Sequence, residues 1–157
     1  MGYVRELRSL VGHRPIILPG AAALIVNPQG ELLLFCRSDN GCWGPPGGMM
    51  EPGETLEETA RRETREETGM ELGSLTLYDV FSGPDLFYVY PNGDQVYNVS
   101  VVYVTHEYKG EARIDQDEGR ECGFFPLAEL PHPLSPPIEQ ILLQFAASFI
   151  KSASDRQ

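Results

Sequence analysis

The sequence predicts an α/β protein: helices packed on both faces of a mixed β-sheet, an α/β/α sandwich. Three observations carry that prediction. Apolar runs of strand length alternate with turn formers. One central segment carries a helix start signal and a helix stop signal. A long segment with apolar residues at helical spacing closes the chain. At 157 residues, the whole span 1–157 suits a single domain with a substantial core.

The elements follow in order. Tyr3, Val4, Leu7, Leu10 and Val11 recur at helical spacing and predict a helical extension over 1–13. Its apolar stripe needs cover from the domain or from a second copy, so a homodimer is compatible with it. "PIILPGAAALIVN" reads as a buried strand, "PQGE" as a turn and "ELLLFCR" as a second strand. Residues 21–37 are therefore expected to form a β-hairpin. "SDNGCWGPPGG" is loop. Thr55 and Glu58 then form a T-x-x-E capping box, and Gly69 supplies the stop for a helix between them. Strands are expected at Leu75–Ser82, Phe87–Tyr90 and Tyr97–Tyr108, with the turn "YPNGD" before the last, and another at "CGFFPL". Ile138, Ile141, Leu142, Phe145 and Ile150 mark the closing helix, after which "KSASDRQ" is expected to fray.

Composition narrows the function. The three cysteines lack any C-x-x-C spacing, which argues against a disulfide framework or a zinc site and favours a reducing compartment. With neither a basic apolar leader nor a membrane-length apolar run, the expectation is a cytoplasmic protein with no membrane partner. Net charge is −11, and 51–71 alone holds eight acids against three arginines. Such a chain should repel long nucleic acid. A small anionic substrate is compatible with it only if a metal cation mediates the contact.

The acidic segment is unusual on a helical wheel. With Leu56 at zero, Ala60 falls near about 40°, Glu63 near about 340°, Glu67 near about 20° and Glu66 near about 280°. Carboxylates thus continue the stripe that Leu56 and Ala60 begin, where a solvated helix would place them opposite. Like charges at i,i+3 and i,i+4 repel unless something positive sits among them. Arg62 reaches Glu58 and Glu66 but cannot neutralise the set. Clustered hard oxygens suit Mg²⁺ or Mn²⁺. The competing reading is a salt-bridged surface helix.

The register around the helix favours the metal. From Gly48 to Met70 the chain reads "GMMEPGETLEETARRETREETGM". Gly48, Glu54, Arg62, Glu63, Glu66, Glu67, Gly69 and Met70 fit G-x5-E-x7-R-E-U-x-E-E-x-G-U, where U is a bulky apolar residue. This span, 48–70, resembles the Nudix hydrolase signature of MutT-like proteins, and it implies a Nudix fold. Thr64 departs from the pattern's larger aliphatic residue and reads as a packing variation. "PPGG" stands where "LPGG" is more usual.

The resemblance implies a divalent-metal-dependent pyrophosphohydrolase that cleaves the diphosphate linkage of a nucleoside diphosphate derivative, with Mg²⁺ as cofactor and Mn²⁺ as a substitute. By the same resemblance Glu63 and Glu67 are metal ligands, Glu66 is a ligand or the general base, and the carbonyl of Gly47 adds an oxygen. Arg62 orients the carboxylates, and Glu54 sits behind them. A distal carboxylate is expected from Asp115, Asp117, Glu118 or Glu121, with Glu118 preferred. Trp43, Phe81, Phe87, Tyr88 and Tyr90 are candidates to stack on a base, although strand aromatics more often serve the core. The alternative function is a non-catalytic Nudix-fold nucleotide-binding module, which the complete set of motif carboxylates disfavours.

Overall fold

The computed structural model describes residues 2–115 and 117–156. Helix α1 spans Tyr3–Val11, followed by strands β1 (Ile16–Ile25), β2 (Glu31–Arg37), β3 (Trp43–Gly44) and β4 (Gly47–Met49). Helix α2 runs Leu56–Thr68. Then come β5 (Glu71–Leu72), β6 (Thr76–Phe81), a 3₁₀ turn at Pro84–Leu86, β7 (Phe87–Val89), β8 (Gln95–Thr105), β9 (Tyr108–Lys109) and β10 (Gly119–Pro126). Helix α3, Pro136–Ser154, closes the fold.

The central sheet is mixed, in the order β4-β1-β8-β6, with β7 also paired to β8. Strands β1 and β8 run parallel over Ile16–Ile25 against Val96–Thr105, and the other pairs in this sheet are antiparallel. A parallel pair needs a crossover, and α2 lies on that connection. A three-stranded sheet, β10-β2-β3, and the short pair β5-β9 complete the strands. Helix α3 buries Ile141, Leu142 and Phe145 over Leu24 and Val102, while Ala60 of α2 packs on Ala21, Val101 and Tyr103.

Two expectations are corrected. Strands β1 and β2 are not a paired hairpin: they meet at the bridge Val26–Leu32 and the bond from Asn27 N–H to the Glu31 carbonyl, then diverge into different sheets. Each is sandwiched: β1 has β4 and β8 on its edges, and all five central residues of β2 are buried. The tail also departs from expectation, because α3 carries on through Lys151–Ser154.

Helix α1 is tied to its own domain. Arg8 donates to the carbonyls of Gly12, Arg14 and Gln95, and the Tyr3 N–H donates to Glu51. No helix among the described residues is long and apolar enough to cross a membrane.

Candidate active site

Helix α2 begins as its sequence dictates. The Thr55 hydroxyl accepts from the Glu58 N–H, and the Glu58 carboxylate accepts from the Thr55 N–H. Gly69 ends it in the left-handed region at φ 73°, its N–H closing on the Arg65 carbonyl. The inward face is polar yet satisfied. Thr59, Thr64 and Thr68 are fully buried, and each hydroxyl donates to the carbonyl four residues back. Thr64 thus packs without an unpaired oxygen, which explains why it tolerates the missing aliphatic.

Glu67 occupies the same inward face at 4% exposure, where its Oε1 accepts the Gly47 N–H at 2.8 Å. Burial pushes its carboxyl up to about 8, with Glu63 and Glu118 adding to the rise and the Gly47 N–H opposing it. Glu63 is raised too, chiefly by burial, against the favourable pull of Arg62. Strand β4 lies almost in contact with these acids. A Cβ on Gly48 would sit 2.4 Å from the Glu63 carboxylate, and one on Gly47 would sit 2.5 Å from the Ala21 carbonyl oxygen. Only glycine leaves room at either position.

Arg62 organises the carboxylates. It pairs with Glu54 through Nε and Nη2, and donates Nη1 to Glu63 at 2.8 Å and Nη2 to the Met49 carbonyl at 3.0 Å. Glu54 also accepts the Glu51 N–H, and its Oε2 lies 2.9 Å from the Thr59 hydroxyl, which shares its one proton with the Thr55 carbonyl. Its Arg62 partner, above all, holds the Glu54 carboxyl down at about 2. The guanidinium is raised in turn, with Glu54 the largest cause.

Glu66 stands apart from this pair. Its side chain is 51% exposed and, among the described residues, reaches only Arg62 Nη1, at 3.3 Å. Sitting on the flank of the wheel, it is turned toward the arginine one turn earlier. Among the described residues, no three acid, histidine or cysteine side chains already converge on one point. Glu66 is thus turned away from the hollow that Glu63 and Glu67 line.

A fourth carboxylate arrives from the loop before β10. Arg113 N–H donates to the Thr68 carbonyl and Asp115 N–H to the Glu67 carbonyl, fastening the loop to the end of α2. Asp115 then caps a turn by accepting the Asp117 and Glu118 N–H groups. Glu118 thereby faces a cavity of about 390 Å³ that Glu63, Glu67 and Asp117 also line. Its carboxyl is raised by burial first, then by Asp115 and Glu66. Glu121 does not line this cavity; it is exposed on β10.

Sequence reasoning missed one residue that lines the site. Arg37, at the end of β2, lines the carboxylate cavity and was overlooked. Its guanidinium bonds Asp39 through Nε at 3.0 Å and Nη2 at 2.9 Å, leaving Nη1 without a partner among the described residues. The available signal was a lone cation directly after five apolar strand residues, beside the glycine loop. Tyr90 lines the same cavity, whereas the other aromatic candidates do not. Trp43 packs edge-on against Phe125, Phe81 joins the core, and Phe87 lies against Tyr97. Tyr88 meets Tyr90 edge-on and accepts a bond from Asn40.

Arg37, Tyr90, Gly47, Gly48 and Met49 also border a second hollow of about 120 Å³ with Asn98, Ser100 and Ile138 on its far side. The two cavities thus share a wall. A larger hollow of about 660 Å³ on the outer flank of α2 is lined by neither Glu63 nor Glu67. Buried, mutually repelling carboxylates beside a backbone stripped of side chains suit a hard divalent cation.

Comparison with known proteins agrees with this arrangement. The NUDIX domain model matches residues 17–145. An ADP-ribose pyrophosphatase from Methanocaldococcus jannaschii is 35% identical over 128 residues, 79% of this chain and 72% of that one. An 8-oxo-dGDP phosphatase from Mus musculus is 28% identical over 137 residues, and the chain spans only 39% of its length. Among solved structures, a MutT NUDIX hydrolase from Burkholderia pseudomallei superposes with a TM-score of 0.69 at 34% identity, covering 82% of this chain and 97% of that one. With the motif carboxylates in register and the matching fold around them, the chain belongs to the NUDIX domain family and is a Nudix hydrolase acting on phosphoanhydride bonds.

Proposed function

We propose that the reaction is divalent-metal-dependent cleavage of the diphosphate linkage in a nucleoside diphosphate joined to another moiety, such as a nucleoside triphosphate or ADP-ribose. One observation carries the reading: the Glu67 carboxylate is 4% exposed yet bonded to the Gly47 N–H, in a cavity with Glu63 and Glu118. Glu67 is buried, Glu63 half-buried and Glu118 exposed at the rim, and like charges gathered around one hollow are costly unless a cation joins them.

Glu63, Glu66, Glu67 and the Gly47 carbonyl would hold Mg²⁺ or Mn²⁺. When bound, such an ion would neutralise phosphate oxygens and acidify a water. Arg62, braced by Glu54, fixes the Glu63 carboxylate. Glu118 accepts a proton from the attacking water, with Glu66 the next candidate. Arg37 offers its free Nη1 to a phosphate oxygen. The nucleoside end lies toward the adjoining hollow bordered by Tyr90, Asn98 and Ile138. Two relatives are named for ADP-ribose and for 8-oxo-dGDP, and both names support a nucleoside diphosphate core. The free cysteines support a reducing, cytoplasmic setting.

A panel of (d)NTPs, ADP-ribose, NADH, diadenosine polyphosphates and nucleotide sugars tests this reading. Phosphate, pyrophosphate or mononucleotide release from at least one, dependent on Mg²⁺, is expected. Glu67→Gln should lose at least about 10²-fold in kcat, as removal of one electrostatic catalytic group does. A Glu67→Gln enzyme as active as the parent across the panel would refute the metal-ligand role.

A further inference from the structure

We propose that the bare half of the central sheet, on the side that carries α2, is the surface through which two copies of this chain pair. Strand pairing sets Ile17 and Phe87 beside Tyr97, Val89 beside Gln95, Val80 beside Val101 and Leu77 beside Tyr103. Residues directly opposite one another share a face. On that face α2 covers Val101 and Tyr103, which are 5% and 8% exposed, but it stops short of the rest. Ile17 is left 71% exposed, Leu77 55%, Val80 51%, Val89 50%, Tyr97 41% and Phe87 38%. The Phe87 and Tyr97 rings lie 4.9 Å apart, tilted by 45°, so the patch is continuous at its centre.

Size and charge identify the occupant. The six exposed fractions amount to roughly 600 Å² of apolar surface, at the upper limit for a patch left bare on a monomer. A standard interface takes about 800 Å² from each partner, so this centre plus a modest polar rim fills one. None of the six carries a charge, in a chain whose net charge is −11. A basic partner would find nothing here to pair with. A second copy is repelled everywhere except across a neutral face, and a flat neutral face is complementary to itself about a two-fold axis. The pairing is independent of which substrate the site cleaves.

Light scattering on the purified 157-residue chain, from about 1 to about 100 μM, tests it across the affinity range of a standard interface. Twice the 17.4 kDa chain mass is expected. Ile17→Glu and, separately, Val80→Lys should return the mass to that of one chain. Leu143→Glu, at a 43% exposed position on α3, should leave it doubled. Circular dichroism verifies that each variant is folded. Should either fail to fold, hydrogen exchange of the parent provides the reading: residues 95–99 must gain protection as concentration rises. A single-chain mass at every concentration, a dimer that survives both charged variants, or exchange at 95–99 that ignores concentration would each overturn the proposal.

Discussion

Replacing Gly48 with alanine isolates the contact between strand β4 and helix α2. The new Cβ would lie 2.4 Å from both Cδ and Oε1 of Glu63 and 2.8 Å from Oε2. Ordinary carbon–oxygen contact begins near about 3.2 Å, so the carboxylate must retreat by about 1 Å. Retreat strains the 2.8 Å bond to Arg62, whose other donors are already committed to Glu54 and Met49. A displacement of about 1 Å in a catalytic group costs on the order of 10²-fold in rate. Stability moves less. Crowding costs about 1–3 kcal/mol, and the stiffer unfolded chain returns about 0.4–1 kcal/mol. The net is about 1 kcal/mol, or roughly 2–4 °C in Tm for a domain of this size. Initial rates across a Mg²⁺ titration, paired with thermal melts, measure both effects. Gly123→Ala is the control, because its Cβ meets only the Phe125 ring at 3.9 Å. The reasoning fails if Gly48→Ala keeps kcat within about threefold of the parent with an unchanged Mg²⁺ half-saturation.

Gly47→Ala should be harsher on folding, since its Cβ would meet backbone atoms of Ala21 and Ala22 at 2.5 and 2.8 Å. A loss of about 2–4 kcal/mol is expected in urea unfolding, and a loss under about 0.5 kcal/mol would contradict it. Arg37→Ala should raise KM by about 10-fold or more while Tm stays nearly level, because its Asp39 partner is 40% exposed. An unchanged KM would remove Arg37 from substrate binding. Glu54 supplies the pH dependence. Its folded pKa of about 2 lies below the ordinary carboxylate value, so its stabilisation is complete above about pH 4.3 and fades toward pH 2. Parent and Glu54→Gln should therefore differ by about 1–2 kcal/mol at pH 7 and converge near pH 2–3, as followed by urea unfolding. A gap that persists undiminished at pH 3 would contradict the assignment.

Local signals were read well from the sequence, and pairings across long separations were not. The cap at Thr55, the stop at Gly69 and the inward turn of Glu67 all depend on neighbours within a helix turn or two. Glu118 could be named from its acidic loop, but its approach to Glu67 depends on two backbone bonds from Arg113 and Asp115. Periodicity does not encode such bonds. The hairpin failed for a related reason. Strands β1 and β2 are adjacent in sequence, yet β1 is claimed by β8, some eighty residues away. Arg37 looked like a strand terminus because its meaning lies in β4 and α2, which fold over it. The uncovered sheet face was equally hidden, since alternation shows which residues share a side but not how far a helix reaches across it.

The two bonds from Arg113 and Asp115 to the last carbonyls of α2 have an energetic consequence. Those carbonyls are the ones a helix end usually surrenders to water. Here they anchor the acidic loop, so each opening of the loop must break both bonds and return two carbonyls to water. The end of α2 thereby holds Glu118 in register with Glu67.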